Sequence, residues 1–288
     1  MTPLLSVRNL RVSFPTRTGT FEAVRGVSFD LGRERLGVVG ESGSGKSMTG
    51  RAILGLVRPP GRVTADRLDL DGQPILNLPA RQMRALRGAR ISMVMQDPKF
   101  SLNPVMTIGQ QIMEGYRLHT ATGGQAARDK ALEMLRAVQI RDPERVFDAY
   151  PHEVSGGMGQ RVMIAMMLAP DPEILIADEP TSALDVSIRN EVLRIMDQLV
   201  RERGMGLIFI SHDLNLVAEF CDRVLIMYAG RVVEELPARD LQNARHPYTR
   251  GLLNSLPRLD HPVDRLAVLE RQESWRDEER TTPLPGGL

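Results

Sequence analysis

The chain has 288 residues, enough to bury a sizeable core, and its 37 basic and 36 acidic residues give a net charge of +1. This balance does not favour nucleic-acid binding, since such proteins usually carry an excess of basic residues. No apolar run approaches the roughly 18 residues of a membrane-spanning helix, and Arg8 and Arg11 interrupt the apolar start that a secretory signal requires. The one cysteine, Cys221, excludes an intramolecular disulfide and any multi-cysteine metal site within the chain, and we expect it in the core.

The N-terminal quarter of the chain carries strand patterns. Apolar and polar residues alternate over residues 5–10 and 23–29, and residues 68–72 end in the Asp-Gly pair typical of a hairpin. These segments predict an antiparallel β lobe. Residues 36–39 predict a buried strand, and residues 48–57 predict the helix that follows it.

Between that strand and that helix lies the phosphate-binding motif Gly-x-x-x-x-Gly-Lys-Ser. A chance match is rare because lysine occurs at only three positions in the chain. Glycines let backbone N–H groups converge on phosphates at the positive end of a helix. Lys46 would add a full charge, and the Ser47 hydroxyl would hold Mg²⁺. We assign nucleotide binding to Gly40, Glu41, Ser42, Gly43, Ser44, Gly45, Lys46, Ser47 and Met48.

The middle of the chain has a helical pattern. Residues 91–95 form a short β-type run that ends at Gln96, and residues 107–139 are helical in pattern with a polar break at 120–124. This region predicts a helical lobe inserted into an α/β domain. Four apolar side chains at its start predict a core and groove wall rather than a cofactor site: Met106, Ile108, Ile112 and Met113.

Buried strands return in the C-terminal half. Residues 173–177 and 206–210 are apolar, and an amphipathic helix predicted over 187–202 connects them. A strand–helix–strand crossover of this length requires parallel pairing. A final hairpin is predicted around Ala229-Gly230.

A second glycine signature and an acidic pair lie in this half. Ser155-Gly156-Gly157 opens a helix predicted over 158–168, whose N-terminus is a second anion site. Asp178-Glu179 follows the strand at 173–177. Two ordinary interpretations stay open, because Ser is a favoured helix N-cap and strand-end acids also cap the helix that follows.

The order of these motifs resembles that of the ATP-binding cassette superfamily, over residues 4–256. The resemblance implies an α/β fold: a P-loop NTPase core with a mainly parallel sheet, an antiparallel β lobe and an inserted helical subdomain at about 105–165. The motifs in order are the phosphate loop, Gln96, Ser155-Gly156-Gly157, Asp178-Glu179, Ser182-Ala183-Leu184-Asp185 and His212. Further motifs resemble the oligopeptide, dipeptide and nickel importer branch: Gln96-Asp97-Pro98, Ser101-Leu102-Asn103-Pro104, Tyr150-Pro151-His152-Glu153 and His246-Pro247-Tyr248-Thr249.

The resemblance implies roles in hydrolysis for four residues. Asp178 would hold Mg²⁺ through water, and Glu179 would polarise the water that attacks the γ-phosphate. His212 would orient that water and sense the γ-phosphate. Gln96 would contact Mg²⁺ and the attacking water, and would link the core to the helical subdomain.

The resemblance also implies how the nucleotide is enclosed. Phe14 would stack on adenine, with Phe21 as a neighbouring candidate. In a head-to-tail dimer, Ser155-Gly156-Gly157 would cover the ATP of the partner subunit. Asp185 would communicate between the two sites.

The implied function is that of an ATPase subunit of a membrane importer for peptides, nickel or related small solutes. It would lie peripherally at the cytoplasmic face of the inner membrane, with a second cassette, identical or paralogous, and transmembrane permease subunits. An extracytoplasmic solute-binding protein would act indirectly, and nucleic acid is not an expected partner. The alternatives are a DNA-repair or translation ATPase of the same superfamily, and an ATP-binding regulatory module without turnover. Long coiled coils or a second cassette would favour the first alternative, and loss of Glu179 or His212 the second; the chain shows neither feature.

The segment at 257–288 is predicted to be a C-terminal extension with a disordered end at 281–288. The peptide branch often carries cysteines there that resemble an iron–sulfur site, and this chain lacks them. We therefore expect no iron–sulfur cluster, and the departure favours nickel or metallophore import to a small degree.

Overall fold

The computed structural model of this protein describes residues 3–97, 101–182, 184–255 and 272–276. Pro98 and Ala183 of the sequence motifs lie outside these ranges, as does the predicted extension at 257–288 except for residues 272–276. The end predicted to be disordered is therefore not described.

The chain forms two compact units. Unit 1 combines Met1–Asn77 with Phe209–Leu288, and unit 2 is Leu78–Ile208. The boundaries inferred from the sequence, 4–256 with a helical subdomain at about 105–165, stay a prediction.

The strands are β1 (Leu5–Thr16), β2 (Gly19–Leu31), β3 (Arg35–Val39), β4 (Arg62–Thr64), β5 (Arg67–Leu70), β6 (Gln73–Pro74), β7 (Ile91–Val94), β8 (Ile174–Asp178), β9 (Gly206–Ser211), β10 (Arg223–Tyr228) and β11 (Arg231–Pro237). The helices are α1 (Lys46–Ile53), α2 (Ala80–Leu86), α3 (Ile108–Arg117), α4 (Gly124–Ala137), α5 (Pro143–Asp148), α6 (Gly156–Leu168), α7 (Val186–Arg203), α8 (Leu214–Phe220) and α9 (Pro247–Asn254). Short 3₁₀ helices lie at Pro151–Glu153, Ala238–Asn243 and Glu273–Arg276.

Unit 1 contains the predicted antiparallel lobe. Its strand order is β2-β1-β5-β6, and β4 also pairs with β1. β1 and β2 pair from Leu5 opposite Leu31 to Thr16 opposite Gly19, with a register shift beside Asn9, which has a φ of 50°. Such a bulge lets a long pair of strands twist without losing its buried face. β5 and β6 form the hairpin predicted at 68–72.

Unit 1 also contains β11, β10 and β3 in this sheet order, together with residues 209–211 of β9. β10 is parallel to β3 and antiparallel to β11. The predicted hairpin turn is confirmed: Ala229 and Gly230 have φ values of 46° and 85°, the left-handed pair of a type I′ turn.

The predicted place of Cys221 in the core of unit 1 is also confirmed. Helix α8 packs on β3, so a Cβ added at Gly37 would lie 2.3 Å from Val217 Cγ1 and 3.1 Å from Cys221 Sγ. Burial raises the pKa of the Cys221 thiol, which therefore behaves as a small apolar side chain.

Unit 2 contains residues 206–208 of β9 and the strands β8 and β7, and β7 is parallel to β8. The predicted strand–helix–strand unit is confirmed as β8, α7 and β9. Helix α7, which packs on α6, buries an apolar stripe: Val192, Leu193, Ile195, Met196 and Leu199.

The helical part of unit 2 is formed by α3, α4, α5 and α6, which pack on one another. Helix α3 begins with a capping box, in which the Thr107 hydroxyl accepts from the Gln110 N–H and the Gln110 side chain accepts from the Thr107 N–H. Ile108 and Ile112 are fully buried, as the core interpretation predicts. The polar break predicted at 120–124 separates α3 from α4.

Helices α1 and α6 have bounds that differ from the sequence prediction. Helix α1 covers Lys46–Ile53 rather than 48–57 because Gly55, at a φ of 60°, takes the left-handed conformation that ends helices. Helix α6 begins at Gly156, two residues before the predicted start, directly after its N-cap Ser155. None of the helices in the described ranges is long and apolar enough to cross a bilayer.

Candidate functional site

The phosphate-binding motif forms a tight loop in unit 1 between β3 and α1. Gly45 is the N-cap of α1 at a φ of 101°, and Gly43 has a φ of 82°. A Cβ added at Gly45 would lie 2.7 Å from the Ala23 carbonyl oxygen, and one at Gly40 would lie 2.1 Å from the Met227 carbonyl oxygen. Ala23 lies in β2 and Met227 in β10, so glycine is required where the loop passes these two strands.

The side chains of the loop fit a polyphosphate. Lys46 is 5% exposed, and its Nζ donates to the carbonyl oxygens of Gly40 at 2.7 Å and Glu41 at 2.9 Å. Ser44 Oγ is buried and makes no hydrogen bond to any residue in the described ranges. A buried cation and a buried hydroxyl at the start of an eight-residue helix match the needs of an anionic ligand.

Two contacts from distant segments support the loop. The Ser44 carbonyl accepts from the Gly230 N–H in the β10–β11 turn at 3.0 Å. The Tyr248 hydroxyl, from α9, accepts from the Glu41 N–H at 3.2 Å. Sequence reasoning missed both, although it singled out the His246-Pro247-Tyr248-Thr249 motif as a branch marker.

The other predicted site residues of unit 1 are His212 and Phe14. His212 is exposed in the turn between β9 and α8, where Asp213 caps α8 by accepting from the Leu216 N–H at 3.1 Å. Phe14 pairs directly with Phe21 across β1 and β2, so both rings lie on one face of the hairpin. Phe14 is half-buried and Phe21 is 59% exposed, which leaves both candidates for base stacking open.

In unit 2 the structure brings Glu179 and Gln96 together. Parallel pairing places the ends of β7 and β8 at the same edge of the sheet. There Gln96 Nε2 donates to Glu179 Oε2 at 3.1 Å. Asp178, which precedes Glu179 in the chain, is buried. Glu179 has a φ of 47°, a conformation that non-glycine residues adopt at a cost and that is concentrated at functional sites.

The acids at this strand end do not cap the next helix. Helix α7 is capped by Asp185, whose Oδ1 accepts from the Ile188 N–H at 3.0 Å. The Glu179 carbonyl instead accepts from the Ser182 hydroxyl at 3.2 Å, which closes the turn after the strand. The capping interpretation of Asp178-Glu179 is therefore not what the structure shows.

The second glycine signature lies at the start of α6. Ser155 Oγ accepts from the Met158 N–H at 3.3 Å, so the serine is a helix N-cap. Ser155 and Gly156 are exposed, whereas Gly157 is buried, and a Cβ added there would lie 2.6 Å from Ile188 Cγ2. The signature thus meets the start of α7, next to Asp185. Its role towards nucleotide stays a prediction.

The predicted site residues divide between the two units. Unit 1 carries the loop at 40–47, Phe14 and His212, and unit 2 carries Gln96, Asp178, Glu179, Asp185 and the Ser155 signature. Among the residues that the structure describes, no cluster of three or more His, Cys, Asp or Glu side chains is placed to hold a metal ion.

Comparison with known proteins assigns the chain to a family. Residues 24–182 match the profile of the family described as ABC transporter, and residues 233–282 match that of the oligopeptide/dipeptide transporter C-terminal region. The dipeptide transport ATP-binding protein DppD of Haemophilus influenzae is 47% identical over 269 residues, 93% of this chain and 82% of that protein. The chain belongs to the ABC transporter family. DppD of Bacillus subtilis is 48% identical to this ABC protein over 263 residues, 90% of this chain and 78% of its own.

Solved structures agree with this membership. The dimeric ABC transporter cassette MJ0796 is 28% identical, with a TM-score of 0.73 over 82% of this chain and 99% of that chain. A second dimeric structure of MJ0796, in a post-hydrolysis state bound to ADP and phosphate, has a TM-score of 0.70, 28% identity and the same coverage. The P-loop NTPase fold inferred from the sequence is confirmed, and the chain is an ABC-type ATPase.

Proposed function

We propose that this ABC ATPase is the ATP-hydrolysing subunit of an importer for di- and oligopeptides. The match of residues 233–282 to the oligopeptide/dipeptide transporter region supports this substrate class, as do the names of the relatives. Those names do not mention nickel. The observation that carries the proposal is the loop at 40–47, where the buried Lys46 ammonium and the Ser44 hydroxyl without a described partner form an anion site.

The nucleotide is held by residues of the loop. Backbone N–H groups of residues 40–47 and the Lys46 ammonium bind the phosphates, and Met48 follows in the first turn of α1. Phe14 stacks on the adenine, since base stacking needs only an aromatic face. The Ser47 hydroxyl and the Gln96 side chain would contact Mg²⁺, and the Asp178 carboxylate would hold it through water. The ion neutralises phosphate charge when it is bound with ATP.

Hydrolysis depends on Glu179. A water attacks the γ-phosphate, the bond to the β–γ bridging oxygen breaks, and the Glu179 carboxylate accepts the proton of the water. The amide of Gln96 donates to Glu179 Oε2, and this bond holds the carboxylate in one orientation. His212 orients the attacking water.

The second cassette completes the site. Ser155 and Gly156 are exposed at the N-terminus of α6, where free helix N–H groups can face the nucleotide of a partner subunit. Asp185, at the start of α7, links that helix terminus to the turn after Glu179. The related cassette MJ0796 is dimeric in its structures, which supports this arrangement.

The remaining partners follow from the transporter family. Transmembrane permease subunits move the peptide, and a solute-binding protein on the other side of the membrane delivers it. The ATPase subunit therefore lies peripherally at the cytoplasmic face of the inner membrane.

The test is ATP hydrolysis and dipeptide uptake in proteoliposomes that contain the permease, the second cassette and the solute-binding protein. Glu179→Gln should retain MgATP binding and lower turnover by about 10²-fold or more, because a positioned base is lost. Lys46→Ala should weaken MgATP binding itself by about tenfold or more.

The matched control is Lys130→Ala. This lysine pairs with Glu133 at 3.0 Å and Asp171 at 3.2 Å on unit 2, outside the assigned site. Unchanged turnover in Glu179→Gln, or equal losses of binding in Lys46→Ala and Lys130→Ala, would refute the assignments. ATP-driven uptake of another solute class, with no uptake of dipeptides, would refute the proposed substrate class.

A further inference from the structure

Tyr248 is anchored at the start of α9 in unit 1. The N-cap His246 accepts from the Tyr248 N–H through Nδ1 at 3.1 Å. The buried Glu234 of β11 accepts from the Arg245 N–H at 2.6 Å and from the His246 N–H at 3.3 Å. The start of α9 is therefore fastened to the β10–β11 hairpin.

The Tyr248 ring is held by aromatic neighbours and is fully buried. The Tyr228 ring lies 4.5 Å away at an angle of 45°, and the Trp275 ring lies 6.1 Å away at 63°. Tilted and edge-on rings at these separations attract one another. The packing leaves the hydroxyl little freedom to move.

The hydroxyl of Tyr248 reaches the phosphate loop. It accepts from the Glu41 N–H at 3.2 Å. The Glu41 carbonyl in turn accepts from Lys46 Nζ at 2.9 Å and from the Ser44 N–H at 3.2 Å. Tyr248 thus holds Glu41, whose carbonyl orients both the phosphate-binding lysine and the next turn of the loop.

We propose that Tyr248 is a positioning residue for the phosphate loop, through which the C-terminal region of the chain sets nucleotide affinity. The inference rests on the proposed nucleotide site, and it adds a function for α9 and for Trp275. A loop held in its binding conformation loses less conformational freedom when the nucleotide binds. Trp275 acts by keeping the Tyr248 ring in place.

The experiment measures the Kd for MgATP of the full chain by calorimetry. Tyr248→Phe keeps the ring and removes the hydroxyl, and it should weaken binding by about two- to tenfold. Hydrogen exchange in peptides covering residues 36–47 should become faster in this variant. The control is Tyr228→Phe, which removes a hydroxyl from the same cluster that bonds to no residue in the described ranges, and it should change neither quantity.

Kinetics of the reconstituted transporter distinguish a specific effect on ATP binding from a general loss of structure. Tyr248→Phe should raise the KM for ATP by the same factor as the Kd and change kcat by less than about twofold, because binding rather than the chemical step is affected. Trp275→Ala leaves the hydroxyl in place and should weaken binding in the same direction, by about twofold. This second variant tests the proposal even if Tyr248→Phe does not fold.

Two outcomes would overturn the proposal. One is an unchanged Kd in both Tyr248→Phe and Trp275→Ala, and the other is an equal rise in the Kd of Tyr228→Phe. Lys46→Ala is measured beside them. Loss of MgATP binding in Lys46→Ala, with no effect in Tyr248→Phe or Trp275→Ala, would reject this inference alone. Absence of MgATP binding in the unaltered chain would reject the nucleotide site itself.

Discussion

Arg8 and Asp30 join β1 to β2 by a two-pronged ion pair. The guanidinium donates to Oδ1 at 2.9 Å and to Oδ2 at 2.7 Å, and the Ser6 hydroxyl donates to Oδ1 at 2.5 Å. Partial burial raises the pKa of Asp30, but the hydrogen bonds from Arg8 and Ser6 and the charges of Arg8 and Arg223 outweigh it. The pKa of Asp30 in the folded protein is therefore below its usual 3.8.

This shift predicts a pH-dependent effect of Asp30→Asn. A lowered carboxyl pKa contributes stability above the pKa of the unfolded chain, and that contribution is lost as the pH falls through the folded pKa. At pH 7 we expect Asp30→Asn to cost about 1 kcal/mol, since the pair is partly in solvent, and to lower the Tm by about 2–4 °C. Below the folded pKa the difference should disappear.

Thermal melts between pH 2.5 and 8 test this prediction. Asp129→Asn is the control, because its exposed carboxylate accepts from Gln125 in the preceding turn of α4 and pairs with no cation among the described residues. A penalty for Asp30→Asn that is the same at every pH would show that packing, and not the ion pair, is responsible.

At the residue scale, the sequence predicts functional motifs made of successive residues better than it predicts contacts between residues far apart in the chain. The phosphate loop was identifiable because eight successive residues carry its whole pattern. The Gln96–Glu179 and Glu41–Tyr248 bonds join residues 83 and 207 positions apart, and their existence depends on strand pairing and helix docking. The left-handed backbone of Glu179 likewise has no local signal, since glutamate rarely adopts it.

At the element scale, α6 and α7 meet at a glycine. Gly156 and Gly157 are adjacent in the signature, yet a Cβ at Gly156 would meet nothing within 4 Å and one at Gly157 would collide with Ile188 Cγ2. Gly157 is therefore needed for the close approach of the two helix starts. Gly156 has no such packing role within the chain, which is consistent with its proposed place opposite a partner's nucleotide.

The two glycines provide a matched pair of variants. Gly157→Ala should destabilise the protein by about 1–3 kcal/mol, because α6 or α7 has to shift to accommodate the methyl group. Gly156→Ala should leave the Tm unchanged or slightly higher, since alanine favours the helix. Scanning calorimetry measures both. Equal destabilisation by the two substitutions would contradict the assigned packing.

The strands and helices that could be predicted are those in which apolar residues recur at a regular spacing. The alternating strands β1 and β2 and the amphipathic helix α7 follow from side-chain patterns that recur along the chain. The short helices α2 and α5 carry too few turns for a periodic pattern to form, although Asp142 and Pro143 are a typical helix start for α5. The end of α1 was placed too late because the apolar residues continue past Ile53 while Gly55 ends the helix.

At the scale of the whole molecule, the proposed site requires two copies of the cassette. In that proposal one chain would supply the phosphate loop with Lys46, and the partner subunit would supply the signature beginning at Ser155. An isolated chain should therefore bind MgATP and hydrolyse it slowly. This division was predictable from the resemblance of the motifs, whereas no pattern in the sequence shows whether the partner is identical or a paralogue.

The central claim is that ATP is enclosed between the loop of one cassette and the signature of another. The measurement is ATP-driven association of the hydrolysis-deficient Glu179→Gln cassette, with itself or with the second cassette of the transporter, by multi-angle light scattering. We predict that MgATP doubles its mass. Adding Ser155→Arg should prevent this association by steric and charge conflict at the shared anion site, while the Kd for MgATP stays unchanged. Association undiminished by Ser155→Arg, or no association of Glu179→Gln with either partner, would contradict the account.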